Sequence, residues 1–587
     1  MLDPKLSRVL YIDLTHRRFE VRERPELFTF SLGGTGVAIQ LLAEECPPGA
    51  DPLGPENPIV FAVGPLTSLF PLASKTVAMF KSPHTGNLGE SHAGGRSAIA
   101  LREAGYGALV IRGASDMPVY LAVHGPQVFF RDASALWGMR SCFTVGRILR
   151  EVEPKAGLRT IMRIGQAGEN LVTYAGVTTE TYRHFGRLGL GAVFGSKKLK
   201  AVVISGRRSI PVSSAREYRE VYDEIYTASV ESDLMRKYHD LGTAENVLPL
   251  NELGGLPVRN LQAARYEGAT QLSGEALAEH YLGRRLSCAH CPIGCIHLAA
   301  LREPYEDEPY FYKTSMISYD YEPLYALGTM LGGQDPVGWL QLMDEVETRG
   351  LDALSTGVVL AWATEAQERG LISEKETLGL RLTWGDYPTY IAAVQHITAR
   401  TNEFYRALGW GVDFAAAQYG GEDFALAFGG NEMPGYHTGP AAHLTHLTGA
   451  RHSHLDSAGY SLDQKVLLKQ RQSPQEVAAA LVKEESWRQI LSSLVVCFFA
   501  RRIYRPEMVV RALSVAGFAL GEEDLFPLGR EILRWKVAFK EREGFDLETL
   551  RIPQRILETP SPAGPFDEAF LREAMRHYRQ EVTAHPS

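Results

Sequence analysis

The amino-acid sequence predicts an α+β protein, β-rich in its first third and mainly helical from there to its end. Two patterns carry that reading. Short β-type runs separated by glycine-rich turns continue to about residue 206, and the period becomes helical after Ser209-Ile210-Pro211. The length of 587 residues adds a third constraint, since it corresponds to roughly two to four compact units with room for a large core.

In chain order, residues 9–14 and 19–21, on either side of Thr15-His16-Arg17-Arg18, read as a hairpin. Further β-type runs lie at residues 58–63, 76–80, 108–111 and 201–204. Helical period begins at residues 217–222 and is plain over 339–347, 358–369 and 475–486. The last of these runs on towards Phe498, which puts Cys497 on an apolar helix. Gly350 and Gly370 stand where helices stop, because glycine accepts the left-handed conformation that closes a helix. There is no internal repeat and no low-complexity linker. Three segments are expected: a β-rich domain over 1–210 and helical domains over 211–415 and 416–587.

Hydrophobic residues at 45% and charged residues at 22% exclude wholesale disorder and fibrous repeats. A net charge of −8 gives no basic field, so nucleic acid is not an expected partner. The start of the chain lacks the pattern of a signal peptide, and no segment approaches about 20 apolar residues. A cytoplasmic location without membrane insertion is expected. The six cysteines are too few for a disulfide scaffold, yet three fall within eight residues.

That cluster, Cys288-Ala289-His290-Cys291-Pro292-Ile293-Gly294-Cys295, has the spacing with which thiolates from one tight turn converge on a metal centre. Cys497 could complete an iron-sulfur site, and His290 or His297 a zinc site; three unrelated thiols are the plain alternative. Two glycine-rich segments, from Lys81 through Gly94-Gly95 and from Gly186 to Lys197, let backbone N–H groups approach an anion, with Arg187 and Lys197 adding charge. Neither fits a dinucleotide or phosphate-loop motif, and on their own turns in a β-domain are the plainer explanation. His437, His443, His446, His452 and His454 crowd one stretch beside Arg451, as a metal site, as acid-base groups or as a solvated loop. Tyr319-Asp320-Tyr321-Glu322 offers either a helix cap or a carboxylate whose pKa burial raises towards that of a working base.

In combination, these features resemble the tungsten-containing aldehyde ferredoxin oxidoreductase family. The matches are collinear: Ser82-Pro83-His84-Thr85-Gly86 with Gly94-Gly95, Ala104-Gly105-Tyr106, Ile164-Gly165-Gln166-Ala167-Gly168-Glu169-Asn170, the Gly186 to Lys197 segment with Leu199-Lys200-Ala201, Leu256-Pro257-Val258-Arg259-Asn260, the cysteine run, Gly350-Leu351-Asp352 with Ser355-Thr356-Gly357, and Cys497. The resemblance implies a β-domain seating a tungsten or molybdenum bis-pyranopterin, with Mg2+ bridging its phosphates, beneath two helical domains. It implies a [4Fe-4S] cluster on Cys288, Cys291, Cys295 and Cys497, and cofactor contacts from Lys75, His92, Gly94 and Arg187. The family's pterin motif falls on Glu347 and Asp352, its catalytic carboxylate on Glu322 and its active-site histidine on His454.

Departures mark a divergent member. The second pterin motif, D-x-x-G-x-C, reads Ser492-Ser493-Leu494-Val495-Val496-Cys497, His92 replaces an asparagine, Lys75 an arginine, and Gln341 the glutamate of an inter-subunit iron site. The implied activity is oxidation of a small aldehyde to a carboxylic acid, with electrons passing to ferredoxin or an iron-sulfur subunit in a homo- or hetero-oligomer. A low-potential reductase of the aromatic acyl-thioester type and a non-catalytic metal-binding scaffold are the alternatives.

Overall fold

Twelve strands in the first third form two six-stranded sheets, in a computed structural model that describes residues 3–154, 157–305, 307–308 and 310–584. The strands are β1 (Arg8–Asp13), β2 (Arg18–Glu23), β3 (Ile59–Ala62), β4 (Thr76–Lys81), β5 (Leu88–Ala93), β6 (Ala108–Arg112), β7 (Val119–His124), β8 (Gln127–Asp132), β9 (Leu158–Arg163), β10 (Val177–Thr179), β11 (Arg183–Phe185) and β12 (Leu199–Gly206). Their orders are β2-β1-β6-β3-β4-β5 and β11-β10-β9-β12-β7-β8. The expected hairpin is β1 and β2, in antiparallel register with Val9 opposite Arg22.

Both faces of the first sheet are covered, which is why its strands read as continuous apolar runs rather than alternating ones. In β3, Ile59 and Phe61 enter the core between the sheets with Leu121, Val202 and Ile204. Val60 and Ala62 point the other way, towards the helices Gly34–Glu45 and Glu522–Arg542. Period-two alternation thus serves two cores at once.

The rest is mainly helical. Pro336–Arg349 begins on Asp335, whose carboxylate accepts from the N–H groups of Val337 and Gly338, and stops at Gly350 with φ of 77°. A three-stranded sheet interrupts the helices: β13 (Leu282–Leu286), β14 (Ile296–Pro304) and β15 (Tyr312–Tyr319). Its register matters for function. His297 pairs with Tyr319, so the end of the cysteine run and the start of the Asp320-Tyr321-Glu322 segment lie side by side.

One expectation is corrected. The helix Pro474–Ser493 does not reach Cys497; it ends in a turn where Val495 has φ of 55° and Val496 N–H donates to the Leu491 carbonyl at 2.9 Å. A β-branched residue in the left-handed region costs about 1–2 kcal/mol. The turn persists because Val495 C=O accepts from Lys75 N–H at 3.2 Å and Cys497 N–H donates to Leu72 C=O at 2.9 Å. Apolar periodicity carried no sign of that stop, since no glycine marks it.

Candidate functional site

The four predicted cysteines are brought to one place by backbone contacts. Ala289 N–H donates to Gly95 C=O at 2.8 Å, Leu72 N–H to His290 C=O at 3.0 Å, and Cys497 to the same Leu72 turn. None is in a disulfide. Burial, with the neighbouring charges of Cys497 and Cys288, pushes the Cys295 thiol up to about 12, while Arg183 and Lys75 pull it back. Burial likewise raises Cys291, and the other three cysteines add to the rise. Mutual effects of this kind make the four thiols neighbours. Among the described residues, no three His, Cys, Asp or Glu side chains lie close enough to hold a single ion. His297, one of the two histidines of the zinc alternative, directs its ring nitrogens to carbonyls of Cys295 at 3.2 Å and His239 at 3.0 Å.

Gly94 has a steric role here. A Cβ on it would lie 2.6 Å from Cys288 Sγ, 3.4 Å from Lys75 Nζ and 3.5 Å from Arg183 Cδ. Arg183, which sequence reasoning missed, is drawn towards Cys288, Asp320, Cys295 and Cys497, whose charges outweigh burial and raise its pKa. Its position three residues before the Gly186 turn was the available signal.

On the other side of Asp320 lies a chamber of half-satisfied polar groups. Glu322 Oε1 accepts from Tyr436 OH at 2.9 Å and lies 3.2 Å from His454 Nε2. Asp320 is the N-cap of the helix Tyr321–Ala326 by position, yet its carboxylate makes no capping bond, and Oδ1 has no partner. Burial pulls the Glu322 pKa up, but the His454 hydrogen bond and charge and the Tyr436 hydroxyl prevail and hold it below the usual carboxylate range. This reverses the expected rise. The proton sits instead on Asp320, pushed up to about 7 by burial and by the Glu322 charge.

Arg187 stands 3.7 Å from Asp352 Oδ2 and donates to the Glu432 carbonyl through Nη2, while Nε and Nη1 have no hydrogen-bond partner. Asp352 caps the helix Ala353–Glu368 at Ser355 N–H, 2.8 Å. Glu347 accepts from Ser318 Oγ at 2.6 Å through Oε1 and lies 3.8 Å from His184, leaving Oε2 free; burial pushes it up to about 8. His92 is held by Glu90 at 2.7 Å, and burial lowers it to about 4, so its ring is neutral.

The histidine stretch is not a solvated loop: all five imidazoles are buried. His437 Nδ1 meets His443 Nε2 at 2.9 Å, and His452 meets Lys540 Nζ at 2.8 Å. Asp456 orders the turn carrying His454 by accepting from Arg451 Nε at 2.7 Å and from the N–H groups of Arg451 and Ser453. That scaffold also escaped sequence reasoning, because its members look like ordinary surface charges.

Side chains of His184, Arg187 and Glu322 keep 28%, 15% and 17% of their accessible surface although protein surrounds them. They line an internal space. Orphaned buried donors and acceptors cost about 1–3 kcal/mol each, and several are gathered in this region: Arg187 Nε and Nη1, His184 Nε2, Asp320 Oδ1, Glu347 Oε2 and His454 Nδ1. Cations suited to phosphate and carboxylates suited to ring N–H groups fit a polar, anionic cofactor. The four-thiol site beside Arg183 and Lys75 fits an anionic cluster.

A β-domain bearing unpaired polar groups beside four neighbouring thiols has the makings of a redox enzyme. Residues 9–206 match the profile described as aldehyde ferredoxin oxidoreductase, N-terminal domain, and residues 220–582 match domains 2 and 3 of the same family. The tungsten-containing aldehyde ferredoxin oxidoreductase of Thermococcus kodakarensis is 33% identical over 577 residues, 95% of this chain and 92% of that protein. The Pyrococcus furiosus protein of the same name is 32% identical over the same shares. A Pyrococcus furiosus aliphatic sulfonate oxidoreductase subunit is 29% identical over 70% of this chain and 66% of its own length. A chain of the active-site complex of benzoyl coenzyme A reductase, solved with 1,5-dienoyl-CoA, superposes with a TM-score of 0.82 at 21% identity, covering 99% of this chain and 95% of that one. The chain belongs to the aldehyde ferredoxin oxidoreductase family and is an oxidoreductase. Among the described residues, no helix is long and apolar enough to cross a membrane.

Proposed function

We propose that this enzyme oxidises an aldehyde to the carboxylic acid in the chamber between Glu322, His454 and Arg187, and passes the electrons to ferredoxin or an iron-sulfur partner subunit. The observation that carries the reading is the Glu322 carboxylate held by Tyr436 and His454 next to unpaired cofactor-type donors. When bound, a tungsten (or molybdenum) bis-pyranopterin supplies a two-electron acceptor, and a [4Fe-4S] cluster releases the electrons singly. Arg187, Lys75 and His92 would hold the pterin phosphates with Mg2+, Glu347 and Asp352 the ring N–H groups, and Gly94 the close approach. Cys288, Cys291, Cys295 and Cys497 would hold the cluster.

Water adds to the aldehyde carbon, and Glu322 Oε2, the oxygen not taken by Tyr436, accepts its proton. Because His454 and Tyr436 hold Glu322 below the usual carboxylate range, the acceptor is ready at neutral pH. His454 holds Glu322 through Nε2 at 3.2 Å and leaves its free Nδ1 to meet the oxygen on which charge develops. The spare thiols offer no alternative ligand to the chamber: Cys142 donates to the Glu347 carbonyl at 3.2 Å and Cys46 lies beside Pro47, both fully buried.

Glu322→Gln preserves shape and removes basicity. Viologen-coupled aldehyde turnover should fall by roughly 10²-fold or more, with tungsten and iron contents unchanged. Turnover near that of the parent enzyme overturns the assignment.

A further inference from the structure

Beyond the chamber, the turn that follows Cys497 carries cations out to the surface. The single 3-10 turn Phe498–Ala500 leads directly into Arg501 and Arg502. At a rise of roughly 2 Å per residue, the Arg502 Cα is within about 10 Å of that of Cys497. Arg501 is tied inward, donating to Phe498 C=O at 2.8 Å, whereas Arg502 is exposed. From the neighbouring π-helical turn Asp463–Leu467, Lys465 is exposed beside them. Its ammonium is pulled below its usual pKa by partial burial and by Arg502, Arg501 and Arg488, with Glu484 opposing. Glu484 is already engaged by Arg488 Nε at 2.8 Å, so the cations repel one another without full compensation. Exposed Leu455 and Leu468 lie on the same segment, Leu455 C=O accepting from Arg488.

A protein of net charge −8 has no reason of solubility to gather like charges at one spot. Local reversal of sign next to the exit of a redox centre is what steers an oppositely charged carrier into contact. Tyr238 makes the link to the centre, stacked on Phe499 at 3.9 Å and sensing both Arg501 and Cys497.

We propose that the surface formed by Lys465, Arg502 and the exposed leucines is the docking site for a small acidic iron-sulfur protein that takes electrons from the Cys497 side of the cluster. The inference rests on the proposed electron path but can fail separately from it. The apolar Leu455 and Leu468 give the contact its short-range part, and the cations set the approach.

The test uses the holoenzyme with a purified acidic two-cluster ferredoxin. Calorimetric titration at low and high salt is done for the parent, Lys465→Glu, Arg502→Glu, the double variant and the remote control Lys375→Glu. Each reversal at the patch should weaken binding roughly fivefold or more and flatten its salt dependence; the control should match the parent. Viologen-coupled turnover should be the same in all five proteins, because a free dye needs no docking surface. Unchanged ferredoxin affinity in the double variant overturns the proposal. So does a raised KM for a carboxylate-bearing aldehyde with ferredoxin affinity intact, which assigns the cations to substrate instead. If the parent oxidises no aldehyde with viologen while ferredoxin binding still responds to the reversals, the catalytic reading fails and the docking site stands.

Discussion

Glu322 and Asp320 are two residues apart, yet their environments separate their roles. His454 and Tyr436 keep the first ionised, and burial beside that charge keeps the second protonated up to about pH 7. As pH rises through that value, Asp320 ionises and, as a like charge, raises the proton affinity of Glu322. Turnover of the parent should therefore climb through about pH 7. Asp320→Asn should lose that step yet stay within a few-fold of the parent at pH 6. A loss as large as that of Glu322→Gln would mean that Asp320 is itself the base. The acid pair was legible in the sequence, and Glu322 was chosen through family resemblance. The direction of its shift was not legible, because the groups that set it, Tyr436 and His454, lie more than a hundred residues away.

At the scale of elements, the turn after the helix Pro474–Ser493 is the joint between the β-rich region and the cysteine site. The helix Gly34–Glu45 packs its start directly on that turn: a Cβ on Gly34, whose φ is +38°, would lie 2.2 Å from Ser492 C=O and 2.9 Å from Val495 Cγ1. Backbone cannot yield as a side-chain tip does, so Gly34→Ala should cost about 3 kcal/mol or more in urea unfolding and lower the iron content. A cost below about 1 kcal/mol would show that the joint is loose. Cys497→Ala should abolish the visible absorbance of the cluster, and retention of full iron would place the fourth ligand elsewhere. Strands and helices were readable here from periodicity and capping residues. The end of this helix was not, since Val495 adopts a conformation that tertiary contacts impose on it.

Across the whole molecule, buried acids outside the site leave a pH signature. Asp463 accepts from Ala441 and Ala442 N–H and from Thr438, yet burial still pushes it up to about 7. A raised acid pKa contributes stability that is complete below the unfolded value near 4 and is lost as pH rises to about 7. Relative to the parent, Asp463→Asn should therefore gain more than about 1 kcal/mol between pH 4.5 and 7; a constant difference would contradict the shift. The change from sheets to helices near residue 210 was visible as a change of hydrophobic period. What the sequence could not show was the β14–β15 register that sets His297 opposite Tyr319 and so joins a cysteine loop to the carboxylate proposed as the base. The central claim, one chamber coupling a pterin-bound metal to an iron-sulfur cluster, is tested most directly by metal analysis of the purified holoenzyme. The account predicts about four irons and about one tungsten or molybdenum per chain; zinc alone, or iron without either heavy metal, would contradict it.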